Sequence, residues 1–276
     1  MNPALLEVRG LCVDYVARRA ATWSKAGRIH ALRDVDLELH AGRSLGIVGE
    51  SGSGKSTLAR AILGLARPSS GRIAWRGTPV DYGDRTRMRA LRRELQVVFQ
   101  DPFGSLDPRM NAAASVAEAL AALEGVTDRA VQRERVAAAL AEVGLDPALG
   151  TRYPHELSGG QCQRVAIARA TIARPRLLIC DEAVSALDVS IQAQIVNLLG
   201  DLSVRHDMAL LFISHNLAVV RHLCADVAVL RLGQIVERAP GEELFANPRH
   251  PYTRELLAAI PVPDPRLAQA AGRQPA

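Results

Sequence analysis

Short apolar runs and longer segments with helical spacing take turns along this chain. From Leu5 to Val16 apolar and polar positions alternate loosely, as in a strand with one covered face, and a polar segment from Arg18 to Arg28 follows. A second strand-like run covers Ala31 to Leu39, with Ala41-Gly42 as its turn. Leu45 to Val48 is apolar throughout and runs into glycines, after which Ser56 to Leu65 reads as a helix. Leu95 to Phe99 is another strand. From Asn111 to Ala173 the pattern turns helical, with alanine-rich stretches at 112–123 and 130–142. Pro175 ends that region and Leu177 to Cys180 reads as a buried strand. Ile191, Ile195, Leu198, Leu199 and Leu202 share one helix face by their three-and-four spacing. Leu210 to Ile213 is a further strand, and Val227 to Val236 a hairpin turning at Leu232-Gly233. Strands alternating with helices predict an α/β fold on a mostly parallel sheet, with a helical lobe inserted between about 101 and 165. The proline-rich end reads as a short extension with a loose tail.

A chain of 276 residues, 48% of them hydrophobic, has material for one substantial core, as one domain or two lobes. Its formal charge of +5 is mildly basic, and only Lys25 and Lys55 are lysines, a bias that with the abundant alanine points to a GC-rich genome. No basic run interleaved with aromatics appears, so no nucleic-acid partner is expected. Met1 to Gly10 lacks a charged-then-apolar signal pattern, and no apolar run approaches the ~20 residues of a bilayer span. Cys12, Cys162, Cys180 and Cys224 are scattered, which suits buried reduced thiols rather than a metal or disulfide framework. A cytosolic protein is the expectation.

Gly49-Glu50-Ser51-Gly52-Ser53-Gly54-Lys55-Ser56, with Thr57 beside it, matches GxxxxGK[ST] between a predicted strand and a predicted helix. Glycines let backbone N–H groups curl around an oxyanion, and the helix N-terminus adds partial positive charge. Lys55 then reaches the outer phosphates and the Ser56 hydroxyl binds Mg²⁺. An ordinary glycine-rich turn would not combine the strand, the helix and the Lys-Ser pair. Leu177-Leu178-Ile179-Cys180-Asp181-Glu182 is an apolar strand ending in two carboxylates. Asp181 is placed to hold Mg²⁺, directly or through water, and Glu182 to act as general base on the attacking water. Together these features imply a nucleotide hydrolase of some kind working with Mg²⁺, and the resemblance that the next motif carries implies that the nucleotide is ATP.

Leu157-Ser158-Gly159-Gly160-Gln161, about twenty residues before Asp181, resembles the signature motif of the ABC ATPase family. The resemblance implies an ABC nucleotide-binding domain with an inserted helical subdomain, over 1–240, and a C-terminal extension over 241–276. It implies that Ser158, Gly159, Gly160 and Gln161 act across a dimer interface on the nucleotide of a second ATPase, or of a second copy of this chain. Gln100 matches the Q-loop glutamine, a metal or water contact; Asp188 in Ser185-Ala186-Leu187-Asp188 matches the D-loop; His215 matches the switch histidine that contacts the γ-phosphate. Tyr15 is the candidate for stacking on adenine, against the plainer reading of a core strand aromatic, with Trp23 as its rival.

Phe99-Gln100-Asp101-Pro102, Ser105-Leu106-Asp107-Pro108-Arg109 and the run from Ser185 to Gln194 are similar to oligopeptide, dipeptide and nickel importer ATPases. So are His250-Pro251-Tyr252-Thr253-Arg254 and Ile260-Pro261-Val262-Pro263-Asp264-Pro265, a stretch whose composition alone reads as a solvated linker. The subfamily implies two integral-membrane permease subunits, an extracytoplasmic solute-binding protein, and a peripheral position on the cytoplasmic side of the inner membrane. Ala183 departs from the proline of most relatives, and with no cysteine after Cys224 the iron–sulfur centre of some members is not expected. An exporter subunit would share the catalytic motifs. A DNA-repair ATPase would need sustained heptads and a translation-type protein two cassettes, neither of which the chain has.

Overall fold

A computed structural model describes residues 4–16 and 28–259. Chain order begins β1 (Leu6–Val16), β2 (Arg28–Leu39), β3 (Ser44–Val48), α1 (Lys55–Ile62), β4 (Ser70–Trp75), β5 (Thr78–Pro79), α2 (Arg85–Glu94) and β6 (Leu95–Val98). The helical stretch resolves into α3 (Ala112–Glu124), α4 (Arg129–Glu142) and α5 (Gly159–Thr171), with 3₁₀ turns Pro147–Thr151 and Pro154–Glu156 before α5. Then come β7 (Leu177–Asp181), α6 (Val189–Arg205), β8 (Ala209–Ile213), α7 (Leu217–Leu223), β9 (Asp226–Arg231), β10 (Gln234–Pro240), α8 (Gly241–Ala246) and α9 (Pro251–Ala258).

Two sheets form where the apolar pattern predicts one. The six-stranded sheet has the order β10-β9-β3-β8-β7-β6, parallel except for β10 at its edge. The other, β2-β1-β4-β5, is antiparallel. Parallel strands covered on both faces read as unbroken apolar runs, and β7 and β8 are buried from end to end. Their two-residue period still sorts side chains: Leu178, Cys180, Leu210 and Phe212 join one core with α3–α7. Leu177, Ile179, Leu211 and Ile213 face a second core with α1 and the antiparallel sheet. Each leucine or isoleucine buried in this way contributes roughly 2–3 kcal/mol relative to exposure.

The breaks between helices follow local chemistry. Asn111 caps α3, its Oδ1 accepting from the Ala114 amide at 2.8 Å, and Gly125 ends the helix at φ 73°. Asp128 caps α4 by accepting from Ala130 and Val131. On α6 the predicted stripe faces inward, with Ile195, Leu199 and Leu202 fully buried and Ile191 and Leu198 against the same core. Leu232 and Gly233, at φ 47° and 82°, close the β9–β10 hairpin as a left-handed two-residue turn. The Gly233 amide donates to the Ser53 carbonyl and its carbonyl accepts from Arg33, joining the hairpin to the glycine loop and to β2. Residues 241–258 form an ordered extension: Leu244 and Tyr252 lie in the core, with Pro251 opening α9.

Candidate active site

β3, β7 and β8 end level with one another, Asp181 pairing with Ile213 and the Ser214 amide donating to the Ile47 carbonyl. Everything leaving those three strand ends emerges at one carboxyl edge, where parallel sheets place their ligands. The glycine loop 49–54 leaves from β3 and opens α1. A methyl group on Gly49 would overlap the Leu230 carbonyl, and one on Gly54 would sit 2.6 Å from the Ala31 carbonyl, so the loop is a cradle of bare backbone. Lys55, only 4% exposed, curls back and donates to the carbonyls of Gly49 and Glu50, both at 2.8 Å. Burial lowers its pKa, while the carboxylates of Glu182, Asp181 and Glu50 act in the opposite direction. The buried Ser53 hydroxyl has no hydrogen-bond partner among the described residues, leaving a polar group inside the loop for an anion. Thr57 is half-buried in the first turn of α1, and Glu50, Ser51 and Gly52 are exposed.

The Ser56 hydroxyl donates to Asp181 Oδ1 at 3.0 Å. Burial raises the Asp181 pKa, with Glu182 adding to the rise and the Ser56 hydroxyl, Arg60 and Lys55 opposing it. A hydroxyl and one carboxylate oxygen are hard donors that fit Mg²⁺, which is held by one or two protein groups plus phosphate oxygens. Next to Asp181, Glu182 takes φ 52°, a strained conformation for a side-chain-bearing residue. Its amide donates to the Ile213 carbonyl and its own carbonyl accepts the Ser185 hydroxyl at 3.0 Å, which holds the turn. Thus the carboxylate lies 3.6 Å from His215 Nδ1, contributed by the end of β8. Gln100 is exposed just beyond β6, whose Val98 pairs with Cys180. The elements therefore bring Lys55, Ser56, Asp181, Glu182 and His215 together, with Gln100 at the neighbouring strand end.

Ser158 is the N-cap of α5. Its hydroxyl accepts from the Gln161 amide at 3.3 Å, and the Gln161 side chain accepts from the Ser158 amide at 2.9 Å. Gly159 and Gly160 open the helix against Leu187 and Ile191, and a methyl on Gly160 would come within 2.8 Å of Ile191 Cγ2. The buried Gln163 amide donates to the Ala183 carbonyl at 2.6 Å, tying α5 to the segment after Glu182. Asp188 is exposed at the start of α6, without a side-chain cap bond. Arg169 of α5 donates to the Ser105 carbonyl at 2.6 Å, so α5 also holds the segment that follows Gln100.

Tyr15 lies on β1 opposite Ile29, 39% and 56% exposed respectively, which sets it at the surface rather than in the core. Trp23 and Ile260 to Pro265 lie outside the described residues. Tyr252 was missed by the sequence reading: its hydroxyl accepts from the Glu50 amide at 3.1 Å. Besides the subfamily resemblance of His250 to Arg254, the sequence signals it only by the apolar spacing of Tyr252 and Leu256 behind Pro251, four residues apart on α9. Among the described residues no helix is long and apolar enough to cross a membrane.

Comparison with known proteins gives this arrangement its context. Residues 32–185 match the ABC transporter family, and 236–276 the oligopeptide/dipeptide transporter C-terminal region. The chain is 48% identical, over 95% of its length and 79% of the relative's, to the oligopeptide transport ATP-binding protein OppF of Escherichia coli strain K12. To the probable peptide ABC transporter ATP-binding protein y4tS of Sinorhizobium fredii it is 49% identical, covering 98% and 76%. Its backbone superposes at a TM-score of 0.73, with 26% identity over 85% of this chain and 98% of the other, on the dimeric post-hydrolysis ATP-binding cassette MJ0796 bound to ADP and Pi. With its phosphate cradle, its paired carboxylates and both matches in register, the chain belongs to the ATP-hydrolysing subunits of ABC transporters, in the branch that carries the oligopeptide/dipeptide C-terminal region.

Proposed function

We propose that the chain powers a peptide importer from the cytoplasmic face of the inner membrane, hydrolysing ATP in a site shared between two ATPase subunits. The observation that carries the reading is the meeting, at one sheet edge, of the Ser56–Asp181 pair, Lys55 and the Glu182–His215 pair. ATP lies with its phosphates in the loop 49–54 and against Lys55, Ser56 and Thr57. Ser56 and Asp181, with Gln100 nearby, would hold Mg²⁺, which would neutralise charge on the phosphate oxygens. Glu182 takes a proton from water as the water oxygen bonds to the γ-phosphorus and the bond to the β–γ bridging oxygen breaks. His215 donates to a γ-phosphate oxygen, and Tyr15 stacks on adenine. Ser158, Gly159, Gly160 and Gln161, at the opening of α5, reach the nucleotide of the facing subunit. Asp188 lines that interface.

The stretch from Asp101 to Arg109 follows Gln100, carries the half-exposed Phe103, and is held by Arg169 to α5. It is the surface that grips a permease. Two permeases and a solute-binding protein complete the importer, and the names of the relatives favour peptides as cargo over nickel. Co-expression with the neighbouring permeases and their binding protein, followed by uptake of a peptide pool and of nickel, tests this. Peptide uptake that depends on Glu182 and falls with Phe103→Ala is expected. Nickel uptake alone, or no uptake change on deleting the gene, would sink the peptide assignment.

A further inference from the structure

The C-terminal segment reaches into the nucleotide site. Tyr252, 2% exposed, places its hydroxyl oxygen 3.1 Å from the Glu50 amide nitrogen, 202 residues away in the chain. Its ring is covered by the Arg231 guanidinium, 4.5 Å from the ring centroid, which fixes the plane of the phenol. The start of α9 is pinned as well. The Glu237 carboxylate of β10 accepts from the amides of Arg249 and His250, at 2.8 and 3.0 Å, and His250 Nδ1 accepts from the Tyr252 amide. Burial raises the pKa of the phenol, so it stays neutral and keeps its acceptor oxygen at physiological pH.

We infer that Tyr252 is a positioning residue for ATP: its hydroxyl tethers the second residue of the glycine loop, so that Glu237, α9 and Tyr252 hold the phosphate cradle in its binding shape. The inference rests on reading Gly49 to Ser56 as that cradle. The loop's other restraints act on its carbonyls, from Lys55 on Gly49 and Glu50 and from the Gly233 amide on Ser53, while Gly49, Gly52 and Gly54 all have positive φ and a Cβ at Gly52 would have nothing within 4 Å. An amide bonded to a fixed phenol removes part of the ordering that ATP would otherwise have to impose, so the benefit falls on binding rather than on the saturated rate. A purely packing role for Tyr252 would make no such distinction.

Tyr252→Phe in the full chain removes the hydroxyl and keeps the ring under Arg231. Equilibrium binding of Mg-ATP should weaken about three- to tenfold, the usual worth of one hydrogen bond, with KM rising to match and kcat at saturation retained. Amide exchange at Glu50 should quicken while the β7 and β8 amides stay protected. Glu237→Ala, which frees the start of α9 but leaves the phenol, should move ATP affinity in the same direction, and the double variant should be less than additive. Wild-type affinity in a folded Tyr252→Phe, or a fall in kcat with affinity intact, overturns the tether. If Tyr252→Phe does not fold, exchange in the wild-type chain decides: a Glu50 amide unprotected without nucleotide also overturns it. Lys55→Ala keeps the two readings apart. Loss of ATP binding there alongside an unaffected Tyr252→Phe sinks only the tether, whereas ATP bound normally by Lys55→Ala sinks the cradle and the tether with it.

Discussion

At the scale of single residues, the proposed Mg²⁺ role sets two opposed demands on Asp181. Holding a cation needs its carboxylate ionised, and its burial favours the proton. The folded chain therefore binds that proton more tightly than the unfolded chain does. Ionisation above the unfolded value of about 3.9 costs stability as pH rises through the raised folded value, and above it the cost is fully present. Asp181→Asn should stabilise the ligand-free protein by about 1 kcal/mol at neutral pH, with the gain fading toward pH 3.5, and should abolish Mg²⁺-dependent hydrolysis. Thermal unfolding of both proteins across that pH range checks the sign. Glu182 and Lys55 separate differently. Glu182→Gln should bind ATP normally and lose turnover by about 10²- to 10³-fold, since the carboxylate acts only on the attacking water. Lys55→Ala should weaken ATP binding itself by at least about tenfold, because it removes a charge-assisted contact. Binding isotherms beside turnover assays distinguish the two losses.

Among the elements, those with one clear physical signature were legible in the sequence and those relying on the rest of the molecule were not. β3, β7 and β8 showed as unbroken apolar runs, α6 as a stripe, and the β9–β10 turn as Leu232-Gly233. By contrast α2 carries Arg85, Arg87, Arg89, Arg92 and Arg93 and buries only Met88, so no apolar face announces it. β4 starts with three exposed residues before its three buried ones, and its partner β1 lies far back in the chain. The antiparallel sheet was therefore invisible as a sheet even though two of its strands were recognised. In the site, the chemistry showed as motifs, but the contact between α9 and the glycine loop carries no local signature. The opening of α5 makes a test at this scale. Gly160→Ala sets a methyl 2.8 Å from Ile191 Cγ2 and should cost about 1–2 kcal/mol through overpacking. Ile191→Ala in the same chain should recover part of that cost, as a double-mutant cycle in chemical denaturation would show.

For the whole molecule, the proposed mechanism makes this nucleotide site one half of a site shared with a second ATPase subunit. Glu182→Gln with saturating Mg-ATP should run as a dimer on a sizing column, alone or with a related ATPase subunit, and return to monomer when ATP is removed. A species that stays monomeric with both partners supplied contradicts the shared site. The sheet order carries a further consequence, for synthesis. β3, which launches the glycine loop, has β8 and β9 as its neighbours, and neither exists until residues 209–231 have been translated. Until then the segment that will hold ATP is a strand with two unpaired edges, followed by a loop of glycines with nothing to shape it. On the ribosome the nucleotide site therefore cannot close before β9 emerges, and chains cut short before β9 should be recovered as chaperone clients or aggregates rather than as weak ATP binders.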